Sequence, residues 1–398
     1  MRSIYSSAAH TLVCLSTSHR SPETDTLGIE WLNQLHESVV PGDDYYMYYF
    51  ELERHLRMQL ASPTPPASPS SRNTATSSLN TTITPTDTPP RRRSSFTDGW
   101  RAFYATIFAS PWWLRAWVYQ EFVSSANLYF LYGRSSVAWS RVSEVLPTLR
   151  KYHGNFGYWD QGEVEVIGDR GVEDAVNFFV VSKMRSDRAG PYELMDLLAQ
   201  TRHLRRADAR DGVYAFLGLV REDYGIVPDY SAGNGMERLL LDMAGRIVRR
   251  DGRLDILSYA CLARGELSRR LPSWVPDWSC GRCGKVRERT IRETHEKLAA
   301  ALIPRVREGG ELEVQGYKIG TFENGQRLVV HLDGVAVWIG SGQEDDEVWA
   351  LIGARNPFVL RRVGGVYRVV KEAGFKWQID LPKMAWRCGL QSRALLII

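Results

Sequence analysis

The chain has 398 residues, 44% of them apolar, and carries 50 lysines and arginines against 46 aspartates and glutamates. That apolar share excludes wholesale disorder, and a net charge of +4 excludes a nucleic-acid binder working by bulk phosphate neutralisation. Five cysteines make no disulfide framework and point to a reducing, cytoplasmic setting, and no run of 18 apolar residues offers a membrane span.

The predicted elements begin with a buried strand at Thr11–Leu15, an apolar run too short for the core of a secretory signal. Gly28–Ser38 has the helical spacing Ile29, Leu32, Leu35. A second helix is expected over Asp43–Leu60. Residues 61–90 hold 21 Ser, Thr and Pro among 30, too little apolar surface to offset ordering entropy. Residues 61–98 are therefore read as a disordered insertion. Arg91-Arg92-Arg93-Ser94-Ser95 closes it, either as a solvated linker flank or as a kinase site whose phosphate would cancel local charge.

Beyond the insertion, Trp100–Phe108 follows helical spacing, Pro111 opens a second helix over Trp112–Ser125, and Leu128–Tyr132 is a short buried strand. A helix over Trp139–Tyr152 follows, while 153–190 shows no clear pattern. Glu193–Thr201 is amphipathic, Asp211–Val220 is a short helix or strand, and Met236–Arg249 and Leu254–Ala263 are helical. From Leu312 onward the texture changes to short strands, at 312–314, 328–330, 335–338 and 367–370. The pattern predicts an α-rich α/β chain: residues 1–60 and 99–150 form one interrupted domain, 151–304 a mainly helical region, and 305–398 a small β-rich C-terminal module.

Three segments carry candidate chemistry. In Pro111-Trp112-Trp113-Leu114-Arg115-Ala116-Trp117-Val118-Tyr119-Gln120-Glu121, a continuous helix would put Trp113, Trp117 and Gln120 on one face. Buried polar Gln120 and Glu121 need partners. Glu121 is either an ion-pair partner at the margin of an aromatic core or a catalytic carboxylate with a raised pKa. In the second segment Arg202 and Arg210 can reach acidic groups such as Asp211 or Glu121. Asp211 can cap a helix starting at Gly212 and running through Tyr214 towards Gly218. In the third, Pro272 and Pro276 hold Trp274 and Trp278 in an extended strap. Cys280 and Cys283 form a CxxC, a weak zinc candidate because no second ligand pair matches it. Walker A, GxGxxG, GxSxG and HExxH motifs are missing, so no metal or cofactor is expected.

These segments, namely 110–121, 194–219, 227–231 and 271–279, resemble fungal heterokaryon-incompatibility (HET) domain proteins in content, order and spacing. The similarity extends to 353–362 and covers most of the chain outside the insertion. Two departures stand out. The early blocks of the family's domain are missing before Met1, so the chain is expected to hold a domain truncated at its N-terminus. Gly212 stands where the family usually has Lys. The resemblance implies a partial domain distantly similar to TIR domains. It also implies a signalling or interaction role in non-self recognition and programmed cell death, through protein partners and self-association, with no nucleic acid or membrane as partner. Two alternatives stand beside it: an NAD-cleaving hydrolase using Glu121, and an inert truncated paralogue.

Overall fold

A computed structural model describes residues 2–15, 22–38, 99, 102–108, 110–132, 135–145, 181–182, 184–185, 192–262, 265–279, 302–323, 327–332, 335–373 and 385–398. The predicted helix 43–60, the insertion 61–98, the basic triplet, Cys280, Cys283 and most of 153–190 lie outside them. The chain mixes helices and strands and divides into two compact units. The first comprises Ser3–Trp113 and Glu121–Asp187, the second Met1–Arg2, Leu114–Gln120 and Arg188–Ile398.

Helix α1 (Arg2–Ser7), in the first unit from Ser3 onward, is followed by strand β1 (Thr11–Cys14). Helix α2 (Pro22–Ser38) starts at Pro22 rather than Gly28. A proline suits the first helical position, where no N–H is needed. The helix buries Ile29, Trp31, Leu32 and Leu35, and the Trp31 ring lies 5.4 Å from Phe103. Tyr104–Phe108 winds as a π-helix instead of the expected α-helix. The Thr106 hydroxyl donates to the Ala102 carbonyl, a side-chain bond that competes with the backbone ladder.

Strand β2 (Leu128–Tyr132) lies parallel to β1, with Val13 opposite Phe130, and antiparallel to β3 (Ser135–Ala138). A parallel pair needs a crossover, and the chain between β1 and β2 supplies it. A helix at 139–145 follows. The core is aromatic: the Trp113 ring lies 5.0 Å from Phe122 and 5.8 Å from Phe130, and Phe122 lies 4.6 Å from Trp139, all edge-on. Edge-on contacts suit the ring quadrupoles.

The helix expected over Trp112–Ser125 is broken. Pro111–Leu114 is a 3-10 turn, and helix α3 spans only Val118–Ser124. A tertiary backbone pairing is the cause. Arg115 forms a parallel β-bridge with Arg205; the Ala116 N–H donates to the Arg205 carbonyl at 3.1 Å, and the Arg205 N–H to the Leu114 carbonyl at 2.5 Å. Backbone groups committed there cannot close helical turns. Trp113, Trp117 and Gln120 therefore do not share one helical face.

In the second unit, helix α4 (Leu194–Thr201) matches the predicted amphipathic segment and buries Leu194, Leu197 and Leu198. The stretch Asp211–Val220 resolves into a single turn, α5 (Asp211–Tyr214), and a 3-10 turn at Leu217–Leu219. Helix α6 (Met236–Asp251) ends on Gly252, whose left-handed φ of 63° lets its N–H reach the Val248 carbonyl. Glycine takes that conformation without a Cβ penalty. Helix α7 (Ile256–Leu262) and a 3-10 turn (Glu266–Arg269) lead into the strap 271–279. As expected, the strap is irregular and packed: Trp274, Asp277 and Trp278 are buried, and the Trp274 Nε1–H donates to the Gly310 carbonyl at 3.0 Å.

The remainder is β-structure: β4 (Arg305–Val306), β5 (Leu312–Thr321), β6 (Arg327–Leu332), β7 (Val335–Ser341), β8 (Glu347–Leu351), β9 (Phe358–Val363), β10 (Val366–Glu372) and β11 (Ser392–Ile397). The sheet order is β11-β10-β9-β8-β5-β4, and β11 also pairs with β5 from Ser392↔Tyr317 to Ile397↔Leu312. Strands β5, β8, β9, β10 and β11 thus close into a small barrel around Tyr317, Ile319, Val348, Ala350 and Val359. Closure removes exposed sheet edges. Strands β6 and β7 form a separate hairpin. The four strand segments predicted from Leu312 onward fall in β5, β6, β7 and β10; β4, β8, β9 and β11 lie outside them.

Candidate functional site

In the second unit, Arg210, Asp211 and Tyr214 of the segment 194–219 meet Asp229 and Tyr230 of the segment 227–231. Asp208 accepts from the Arg210 backbone N–H at 2.9 Å, which fixes a tight turn just before α5. The Arg210 guanidinium then folds back on the same carboxylate, with Nε 2.9 Å from Oδ1 and Nη2 2.7 Å from Oδ2. Such a bidentate fork is the strong form of the pair, and its hydrogen bonds hold the Asp208 carboxyl below the usual range. The remaining Nη1 donates to the carbonyls of Ser231 and Asn234 at 3.0 Å each, and of Asp229 at 3.4 Å. One side chain thereby ties the start of α5 to the loop 227–234.

Aromatic residues complete the clamp. Tyr214 donates its hydroxyl to the Asp229 carbonyl at 3.2 Å and accepts from Asn234 Nδ2 at 3.0 Å. The Tyr230 hydroxyl donates to Asp211 Oδ1 at 2.6 Å, its ring lies edge-on to Tyr214 at 5.3 Å, and Arg210 sits 5.2 Å above the ring. Burial and the Asp211 carboxylate raise the Tyr230 phenol, keeping it a donor. Asp211 thus differs from expectation. It lies inside the first turn with Arg210 at the N-cap position, and its carboxylate is taken by a tyrosine instead of backbone N–H groups. The clamp fixes a loop that leaves Val227 78% exposed and Tyr230 47%.

Gly212 has a local reason. A Cβ there would lie 2.9 Å from the Arg206 guanidinium carbon. Arg206 donates to the Arg202 carbonyl and to the Ser279 carbonyl, each at 3.2 Å, linking the turn after α4 to the strap. Within the strap, Asp277 accepts from the Ser279 N–H at 3.1 Å and from the hydroxyls of Ser279 and Ser268. Pro276 and Trp278 are buried beside it and Gly218 is half-buried in its 3-10 turn.

The segment 111–121 divides between the units. Pro111 is exposed, Trp112 half-buried and Trp113 buried in the first, with Glu121 half-buried in the first turn of α3. In the second, Arg115 is exposed, Trp117 half-buried and Gln120 only 3% exposed. Gln120 Oε1 has no hydrogen-bond partner among the described residues. Arg202 is buried, whereas Arg210 engages Asp208 instead of Asp211 or Glu121.

Two features escaped the sequence reading. In the first unit the buried Arg185 donates to the carbonyls of Phe122 and Ala126, the latter at 3.3 Å, and stacks 5.0 Å over the Phe122 ring. It satisfies the C-terminal end of α3, as a cation there should. In the second unit the carboxylates with raised pKa are Asp196 and Asp251. Burial raises Asp196 against a hydrogen bond from Tyr259, and burial pushes Asp251 up to about 6, with Arg253 opposing and Glu193 and Asp255 adding. Asp255 lies 3.5 Å from Arg355 and 3.9 Å from Arg253. The legible signal was Asp251 itself, a negative charge in the last turn of a helix, where the macrodipole disfavours it.

Among the described residues no group of three or more His, Cys, Asp or Glu is arranged to hold a metal ion, and no helix is long and apolar enough to cross a membrane. Comparison of the chain with protein-family models, with curated proteins and with solved structures finds no match.

Proposed function

We propose that this chain is a heterokaryon-incompatibility-type protein acting in the cytoplasm through protein partners, in non-self recognition that ends in growth arrest or cell death. The observation that carries the reading is the Arg210 clamp. The motif residues Arg210, Asp211 and Tyr214 spend their polar groups on Asp208, Tyr230 and the carbonyls of the loop 229–234. An arginine so occupied serves to hold a surface in shape. What it holds out is an ordered loop with exposed Tyr230, a residue type enriched at protein contacts, beside exposed Val227. The TIR-like relation belongs to the same proposal. It is supported by the parallel pair β1 and β2 of the first unit, joined by a crossover that includes α2.

Inducible expression in a filamentous fungus tests the reading. The wild-type chain should arrest growth, and Arg210→Ala at equal protein level should not. Full tolerance of the wild-type chain at verified abundance counts against it. Incubation of the purified chain with NAD separates the enzymatic alternative: turnover that disappears in Glu121→Ala would replace the present proposal.

A further inference from the structure

The three-stranded sheet of the first unit has the order β1-β2-β3, so β1 is an edge strand. Thr11 and Leu15 donate their N–H groups to the carbonyls of Asn127 and Leu131, at 2.8 and 2.9 Å, on the β2 side. Backbone groups alternate sides along a strand. Those of Val13 therefore also face β2, while the N–H and C=O of Leu12 and Cys14 face outward. These outward groups have no hydrogen-bond partner among the described residues.

One face of the same strand is bare. Val13 and Leu15 are buried, each 3% exposed, whereas Leu12 is 60% exposed and Cys14 is exposed on the opposite face. The register sets Leu12 beside Tyr129 and Cys14 beside Leu131, both half-buried, and Leu131 beside exposed Ser136. Parallel strands are normally covered on both faces. The edge also lacks the usual guards against pairing, which are charges, proline and bulges. No Asp, Glu, Lys, Arg or Pro occurs from Ser3 to His19, and the register with β2 runs unbroken from Thr11↔Leu128 to Cys14↔Leu131.

Charge and geometry together select the occupant. A neutral edge offers no counter-charge to a charged segment, and a second copy meets it without like-charge repulsion. A two-fold axis at Val13 sets β1 antiparallel to its copy, with Leu12 opposite the partner's Cys14 and Cys14 opposite the partner's Leu12. Both pairs then exchange N–H and C=O bonds. The four outward groups of each copy are satisfied by the same four of the other, the self-complementarity that a two-fold interface requires. We propose that β1 is a dimerisation edge, through which two copies of the chain join their three-stranded sheets into one continuous sheet. This inference does not depend on the signalling role.

Sedimentation equilibrium of the full chain across the micromolar range, with hydrogen exchange read at single amides, tests it. The wild-type chain should dimerise, and in the dimer the amides of Leu12 and Cys14 should be protected along with that of Val13. Dilution to the monomer should release the first two and leave Val13 protected. Leu12→Pro removes an N–H that faces solvent in the monomer, where a proline is tolerated, but that donates across the interface in the dimer. With an unchanged circular dichroism spectrum, it should weaken dimerisation at least about tenfold. Four results would each overturn the proposal: a wild-type monomer throughout the range, a dimer whose Leu12 and Cys14 amides exchange freely, a monomer in which they are protected because another segment of the chain fills the edge, or unchanged dimerisation in Leu12→Pro. The exchange measurement uses the wild-type chain alone, so it decides even where the variant fails to fold.

Discussion

Replacing Asp251 by Asn should stabilise the protein at neutral pH, and the gain should vanish in acid. Asp251 ends helix α6, half-buried, beside Glu193 and Asp255 and opposed by Arg253. Burial lifts its carboxyl from 3.8 to about 6. A carboxyl raised on folding binds its proton more tightly in the folded state, so no penalty exists when both states are protonated. The penalty grows as pH rises from the unfolded towards the folded pKa and is complete above the latter. A rise of roughly two units corresponds to about 3 kcal/mol at most. Solvent relaxation around a half-buried group reduces this, so the expected gain for Asp251→Asn is about 1–3 kcal/mol near pH 8 and at most about 0.5 kcal/mol near pH 4. In thermal unfolding each kcal/mol moves the midpoint by about 2–4 °C for a unit of this size. Melting curves of both proteins at the two pH values give the comparison. An equal gain at both would show that Asp251 is not destabilised by its charge, and a loss at the higher pH would show that the Tyr224 hydrogen bond, 3.5 Å long, outweighs burial.

Three further outcomes follow from the same geometry. Arg210→Ala should accelerate hydrogen exchange across 229–234, where its Nη1 holds three carbonyls, while amides in the β-barrel keep their protection. Arg361→Leu leaves the Asp346 carboxylate buried and unpaired, so chemical denaturation should show a loss of about 3–5 kcal/mol. Because the Asp346 pKa is lowered by Arg361 and the Gln343 N–H against burial, the wild-type contribution is present above the ordinary carboxylate range and is lost as pH falls through the folded pKa; Asp346→Asn in the same background should recover much of the loss. Trp274→Phe removes the bond to Gly310 and should cost about 1–2 kcal/mol, whereas Trp274→Ala should cost about 3–5 kcal/mol because the cavity adds to it.

Much of this molecule was legible locally. The helical spacing of Leu194–Thr201 and Met236–Asp251, the strand Leu128–Tyr132 and the proline-held strap with buried Trp274 and Trp278 all follow from short-range pattern. Each buries a face that its own few residues already define. The sequence also marked Arg210, Asp211 and Tyr214 as belonging together, because neighbours on one turn remain neighbours in space. The partners of those residues were hidden. The segment 227–231 stands out as a unit, yet nothing local pairs Tyr230 with Asp211 or Asn234 with Tyr214, and the carbonyls that Arg210 holds carry no sequence signal because every residue type offers one.

Tertiary structure alone decided the rest. The aromatic run 112–125 has every mark of one helix, yet the backbone of Leu114, Arg115 and Ala116 pairs with Arg205, distant in sequence, and α3 starts only at Val118. Helix propensity is worth tenths of a kcal/mol per residue, which a single tertiary pairing overrides. Barrel closure was equally out of reach: β11 is a short segment whose identity as a strand comes from lying between β5 and β10. The opposition of Arg361 and Arg368 depends on the register of one hairpin. Composition and periodicity determined which residues are buried and in what local form; only the pairing of distant backbones decided where the helix breaks, how the barrel closes and which charges face each other.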